Sequence, residues 1–93
     1  MKTVRIVHQT RLTLDQARSA LERVFANLST QYGLTGWWSS PNVFYLQGPN
    51  ITGTVSMNNR GLVEITLQLG AILIMFAKKI EKEIKSQLKQ QFG

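Results

Sequence analysis

The sequence predicts an α+β domain, a single antiparallel sheet of four to five strands with two helices packed on one face, in the order β-α-β-β-β-(β)-α. Three observations carry this reading. Apolar and polar residues alternate near the N-terminus and again over residues 62–69, the period of a half-buried strand. Two longer segments, one on each side of the strand-rich middle, repeat apolar residues at spacings of three and four. The middle itself is cut into short runs by Gly, Pro and Asn.

The first strand covers residues 3–8, with Val4, Ile6 and His8 on one side and Arg5 and Val7 on the other. Thr13, with Gln16 three positions later, forms a capping box that starts a helix. Leu14, Ala17, Leu21, Val24, Phe25, Leu28 and Tyr32 gather into one stripe along it, and Gly33 closes it as a C-cap. Residues 36–41 mark a turn or a short edge strand, because Pro41 cannot donate to a ladder. Residues 43–47 read as a strand, Gly48, Pro49 and Asn50 as a turn, and residues 51–57 as the next strand, with Ile51, Gly53, Val55 and Met57 on one side. The turn at residues 58–61 leads into the last strand, where Val63, Ile65, Leu67 and Leu69 alternate with Glu64, Thr66 and Gln68. From Gly70 or its neighbour a single second helix is expected to run to about Phe92, roughly 30 Å at 1.5 Å per residue. Its inner stripe would be Leu73, Phe76, Ala77, Ile80, Ile84, Leu88 and Phe92.

The chain has 93 residues, too few for two cores, and no linker or repeat divides it, so residues 1–93 are read as one domain. Such a domain buries only roughly two-thirds of its unfolded surface, so a partner subunit would add stability and a homodimer is conceivable. The absence of cysteine excludes disulfides and thiolate metal sites. With no export-type N-terminus, the chain is expected in the cytoplasm. The longest apolar run, residues 69–77, is about half of the roughly 20 residues that a membrane-spanning helix needs. A net charge of +6 favours anionic partners or simply solubility.

Catalytic machinery is not expected. There is one His, and Asp15, Glu22, Glu81 and Glu83 fall on helix positions facing solvent, with Glu64 on the outward side of the last strand. Glu81 with Lys85 and Arg18 with Glu22 have the spacing of helix-surface ion pairs. No phosphate loop, metal-ligand spacing or cofactor motif is present. His8 suits either a sensor role or that of a strand histidine with satisfied bonds. Trp37 and Trp38 are adjacent, so in an extended segment one ring meets the core and the other the opposite face, where it could bind or merely close the sheet. Candidate contacts to a hydrophobic surface are Ile72, Ile74 and Met75 on the second helix, together with Trp37 and Trp38. Lys78, Lys82, Lys85 and Lys89 form one basic row opposite Ile80 and are the candidate anion contacts.

Tyr32 Gly33 Leu34, Trp38, Val43 Phe44, Gly48, Gly53 Thr54 Val55 and Leu67 Gln68 Leu69 Gly70 resemble the spacing of the polyhydroxyalkanoic acid system protein family. Lys79 Ile80 Glu81 Lys82 Glu83 Ile84, Leu88 and Phe92 Gly93 are similar to its final helix, and Ala17 Arg18 fit its first. One position departs. Family members commonly place a histidine two residues before a leucine ahead of the first helix, where this chain has Thr10 and Leu12. A role of that histidine therefore does not transfer to His8. The resemblance implies a small accessory protein of intracellular polyester storage, whose partner would be a polyester granule or a granule-associated protein. The order of elements also resembles half of a helix-grip or TBP-like fold, an analogy of architecture alone. The leading expectation is a non-enzymatic accessory or binding protein of a bacterial polyhydroxyalkanoate system. A carrier of a small apolar ligand between the sheet and the C-terminal helix is the alternative, and a polyanion or nucleic-acid binder acting through the Lys row ranks third.

Overall fold

A computed structural model describes residues 1–93. The strands are β1 (Lys2–Gln9), β2 (Thr35–Ser40), β3 (Val43–Gly48), β4 (Ile51–Met57) and β5 (Leu62–Leu69), and the helices are α1 (Leu14–Tyr32), α2 (Ala71–Ile74) and α3 (Ala77–Phe92). The five strands form one sheet in the order β1-β5-β4-β3-β2, every neighbour antiparallel. Strands β2 to β5 are a meander joined by tight turns. Strand β1 reaches across the sequence to pair with β5, from Lys2 opposite Leu69 to Gln9 opposite Leu62. The segment left open between turn and edge strand is thus the edge strand β2, with a register shift between Trp38 and Ser40 and Pro41 just outside the ladder.

Register explains which face is greasy. Val4 and Ile6 oppose Leu67 and Ile65, and Val55 opposes both Phe44 and Ile65, so one face carries a continuous apolar layer. Helices α1 and α3 cover that face with Ala17, Ala20, Leu21, Val24 and Leu28 from one and Ala77, Ile80, Ile84, Leu88 and Phe92 from the other. The other face is left open.

Helix α1 begins as expected. Gln16 N–H donates to the Thr13 hydroxyl at 3.3 Å, and Thr13 N–H donates to Gln16 Oε1 at 3.0 Å. Gly33, at φ 64°, ends it in the left-handed conformation that glycine adopts without penalty. Leu14 is the exception in the stripe, because it lies in the first turn and is 37% exposed.

The expected single C-terminal rod is broken. One helical turn, α2, ends at Met75, and Phe76 takes φ −103° and ψ 10° before α3 starts. The chain leaves β5 at the sheet end held by Asn50, whose carbonyl accepts Gly70 N–H at 2.7 Å, and must turn before it can lie across β1 and alongside α1. The break keeps Leu73 and Ala77 in phase with Ile80, but it drops Phe76 from the inner stripe and leaves that ring half exposed.

The β4–β5 turn ties the bottom of the domain together. Asn58 Oδ1 accepts the N–H groups of Arg60 and Leu62 at 2.9 and 3.0 Å, and Gly61, at φ 81°, offers its carbonyl to Thr10 N–H at 2.7 Å. A Cβ on Gly61 would overlap the Thr10 carbonyl oxygen. Gly61→Ala therefore combines a left-handed φ with a backbone clash and should cost at least about 1–3 kcal/mol in urea denaturation. Leu88→Ala, which empties a site only 1% exposed, should cost about 2–5 kcal/mol in the same assay.

Candidate functional site

The orientation of α3 decides what the surface offers. Apolar burial seats the helix, and three polar rungs fix its rotation against the antiparallel α1. Arg23 Nε donates to Gln91 Oε1 at 2.9 Å, Asn27 Nδ2 to Gln87 Oε1 at 2.9 Å, and the Tyr32 hydroxyl to Glu83 Oε2 at 2.7 Å. Glu83 is thus a rung of this seam, where the sequence placed it in solvent. The fourfold spacing of Arg23 with Asn27, and of Gln87 with Gln91, was the available signal. Burial, followed by the hydrogen bond to Glu83 and its charge, pushes the Tyr32 phenol up from its ordinary value of 10.0 to about 12.

Locked this way, α3 turns Ile80, Ile84, Leu88 and Phe92 inward and leaves Lys78, Lys82, Lys85 and Lys89 exposed. Lys85 forms the expected pair with Glu81 at 2.9 Å. The other three make no ion pair.

The elbow between α2 and α3 gathers the densest group of exposed apolar side chains in the molecule. Ile72 is 67% exposed, Met75 88%, Phe76 49% and Ile74 38%, so four of the nine exposed large hydrophobic residues fall within one five-residue stretch. Leu73 alone points inward and packs on the core. The break thus produces a blunt apolar corner with Lys78 beginning immediately after it, and Phe76 joins the three residues expected there.

The two tryptophans separate. Trp38 meets Phe44 edge-on at 5.1 Å, lies under the Arg18 guanidinium at 4.4 Å, and donates its indole N–H to Glu22 Oε2 at 3.3 Å. Trp38 therefore stands between Arg18 and Glu22, which do not form the expected ion pair, and Arg18 instead donates to the Pro41 carbonyl at 3.0 Å. This cluster clamps the β2–β3 hairpin onto α1. Trp37 is 49% exposed on the open face and stacks against Tyr45, with centroids 6.0 Å apart and planes 22° from parallel. The five candidate hydrophobic contacts thus fall into an elbow group, a hairpin clamp and an open-face aromatic.

His8 meets the Phe92 ring edge-on at 5.9 Å, and its Nε2 is buried without a hydrogen-bond partner. The neighbouring Thr10 is the only buried polar side chain. Its hydroxyl donates to the Phe92 carbonyl at 3.0 Å and accepts Leu12 N–H at 3.2 Å. Where the resemblance leads one to expect a histidine, this chain uses a threonine to cap the end of α3.

Between sheet and helices lies one apolar cavity of about 40 Å³, lined by hydrophobic residues that include Leu28, Phe44 and Ile84. Pockets for small molecules are commonly about 300–1,000 Å³. No group of three His, Cys, Asp or Glu side chains converges to hold a metal, and no helix is long and apolar enough to cross a membrane.

Sheet, seam and elbow define a small two-layer α+β protein with a basic amphipathic helix and an unshielded apolar corner. A family model described as putative polyhydroxyalkanoic acid system protein matches residues 4–92, and the chain belongs to that family. A search among curated proteins finds no match.

The Tyr32–Glu83 rung predicts an alkaline transition. The phenol's folded value is raised above its unfolded one, so its stabilising contribution is complete below about pH 10 and is lost as pH rises through about 12. Tyr32→Phe should flatten the fall in unfolding stability between those limits relative to wild type and remove the higher phenolate absorbance step.

Proposed function

We propose that the protein is a non-enzymatic accessory component of a polyhydroxyalkanoate system and that it docks through the α2–α3 elbow onto a hydrophobic surface, that of the polyester granule. The observation that carries this reading is the exposure of Ile72, Ile74, Met75 and Phe76 beside Lys78. Family membership supplies the polyester context.

Fully burying a side chain of this size is worth about 1.5–3 kcal/mol, so four partly exposed ones supply several kcal/mol against the cost of association. Each Lys near an anionic surface adds about 1 kcal/mol, within a Debye length of about 8–10 Å. Apolar insertion and charge are thus of similar size, and the row Lys78, Lys82, Lys85 and Lys89 also orients the helix and speeds the approach.

A carrier function gains little from this architecture, because the cavity between sheet and α3 is near a tenth of a typical ligand pocket. The Lys row alone would suit a polyanion, but no aromatic side chain alternates with it on α3. Both rank below granule docking.

Co-sedimentation with isolated polyester granules tests the proposal. The double variant Ile72→Asp with Met75→Asp should lower the bound fraction by about tenfold or more, since each charge replaces an inserted apolar group, while its melting temperature stays near that of wild type because both side chains are exposed. Changing the four Lys to Gln should mainly remove the salt dependence. Normal sedimentation of a folded Ile74→Asp protein, or of the double variant, would reject the elbow as the docking face.

A further inference from the structure

We propose that the open face of the sheet is a second binding surface, which holds a short length of a neutral, hydrogen-bond-accepting chain, an oligoester, in the trough beside Trp37. The choice of an ester rests on the polyester reading above; the site itself rests on the geometry of the sheet.

Pairing across β3, β4 and β5 sets Tyr45, Thr54 and Thr66 opposite one another, and Gln47, Thr52 and Gln68 in the adjacent row. Neighbouring strands lie about 4.8 Å apart and alternate residues along a strand about 6.8 Å apart, so these six side chains form a regular grid of hydrogen-bonding groups. The Trp37–Tyr45 stack stands along one edge as an apolar wall. A shallow trough runs between wall and grid, and none of its nine lining residues is charged.

That neutrality is informative in a chain of net charge +6. A face that only needs water is ordinarily rich in charges of both signs. The one ion pair on this face, Arg5 with Glu64 at 3.8 Å, borders the grid on its β1 side, where Arg5 stands opposite Thr66 and is neutralised by its partner. Phosphates would find no cation in the trough, which disfavours nucleic acid. The lining also holds no carboxylate to accept from a sugar's hydroxyl groups. Its hydroxyls and the Gln47 amide can accept as well as donate, and donors are plentiful: the Trp37 indole, the Tyr45 and Thr hydroxyls, and the amide nitrogen of Gln68, whose Oε1 already accepts from Thr3 at 3.0 Å. Ester carbonyls only accept, and the alkyl groups between them suit the indole face. An extended oligoester satisfies both demands.

The trough is also separable from the elbow, since Trp37 and the grid lie on the face of the sheet that α1 and α3 do not cover. Titrating the ¹⁵N-labelled full chain with a capped, uncharged trimer of 3-hydroxybutyrate, and separately with maltotriose, reads the site directly. Expected are shifts of the Trp37 indole N–H and of the Thr52, Thr54 and Thr66 amides with the trimer alone. Trp37→Ala should weaken binding about tenfold, as for an aromatic anchor, and Thr54→Val about threefold, as for one hydrogen bond. Both variants should melt with wild type. Shifts confined to residues 72–76, no shifts at all, equal response to maltotriose, or a dimer whose second copy already shields Trp37 would each overturn the assignment. Met75→Asp, which should fail to sediment with granules, should bind the trimer as wild type does, so loss of one reading leaves the other measurable.

Discussion

Eight antiparallel residue pairs between β1 and β5 join the first and last strands of the sequence, and the rest of the architecture follows from them. Without this pairing the molecule would be a four-stranded meander with α1 hanging from one end of its edge. With it, the link from β1 to β2 must cross the sheet, and α1 has to lie over the face where Val4, Ile6, Ile65 and Leu67 meet. The same pairing brings Thr10 beside the β4–β5 turn and beside the last carbonyl of α3, so one buried hydroxyl and one backbone contact to Gly61 register three distant segments at once.

Two kinds of force then divide the work. Burial of Ile80, Leu88 and their neighbours decides where α3 sits, but a greasy stripe tolerates rotation by a fraction of a turn. The Arg23, Asn27 and Tyr32 rungs remove that freedom. Their net contribution to stability is modest, about 0.5–1.5 kcal/mol for the neutral Asn27–Gln87 bond and somewhat more for the two rungs with a charged partner, and their value lies in direction. They hold the Lys row outward and so place it in line with the apolar elbow.

Strand and helix positions were legible because their periods are distinct: Val63 to Leu69 alternates strictly, and Ala17 to Leu28 repeats in threes and fours. The capping box at Thr13 was equally plain, since its partners are local in sequence. The elbow residues Ile72, Ile74 and Met75 were also legible, as apolar positions on the outer side of a helix. The break that exposes them was not. A stripe of period 3.6 reports phase around an axis and is blind to the axis changing direction, so a kink that preserves phase from Leu73 to Ala77 leaves no trace apart from Phe76. The Arg18–Glu22 pair failed for a related reason, because helix spacing cannot foresee that Trp38 from another element will stand between the two.

A two-layer α+β domain with its helices on one side leaves the other sheet face without a hydrophobic partner, and what the sequence places there is a choice. Here Thr, Gln and two aromatics occupy most of it, while the cationic side chains of α3 all emerge on the helical side. The two sides consequently differ in the force by which they could hold anything. The elbow and its Lys row would act through apolar burial and charge, and the charge part is screened over about 10 Å at 0.1 M salt. The open face would act through short-range hydrogen bonds and stacking, which salt barely affects. Because β5 supplies Thr66 and Gln68 to the open face and Ile65, Leu67 and Leu69 to the core, and then runs directly into the elbow, one strand sets the geometry of both surfaces. A change that slipped its register by one residue would turn the grid into the core and the core into the grid, so neither surface can be altered through β5 without unmaking the fold that separates them.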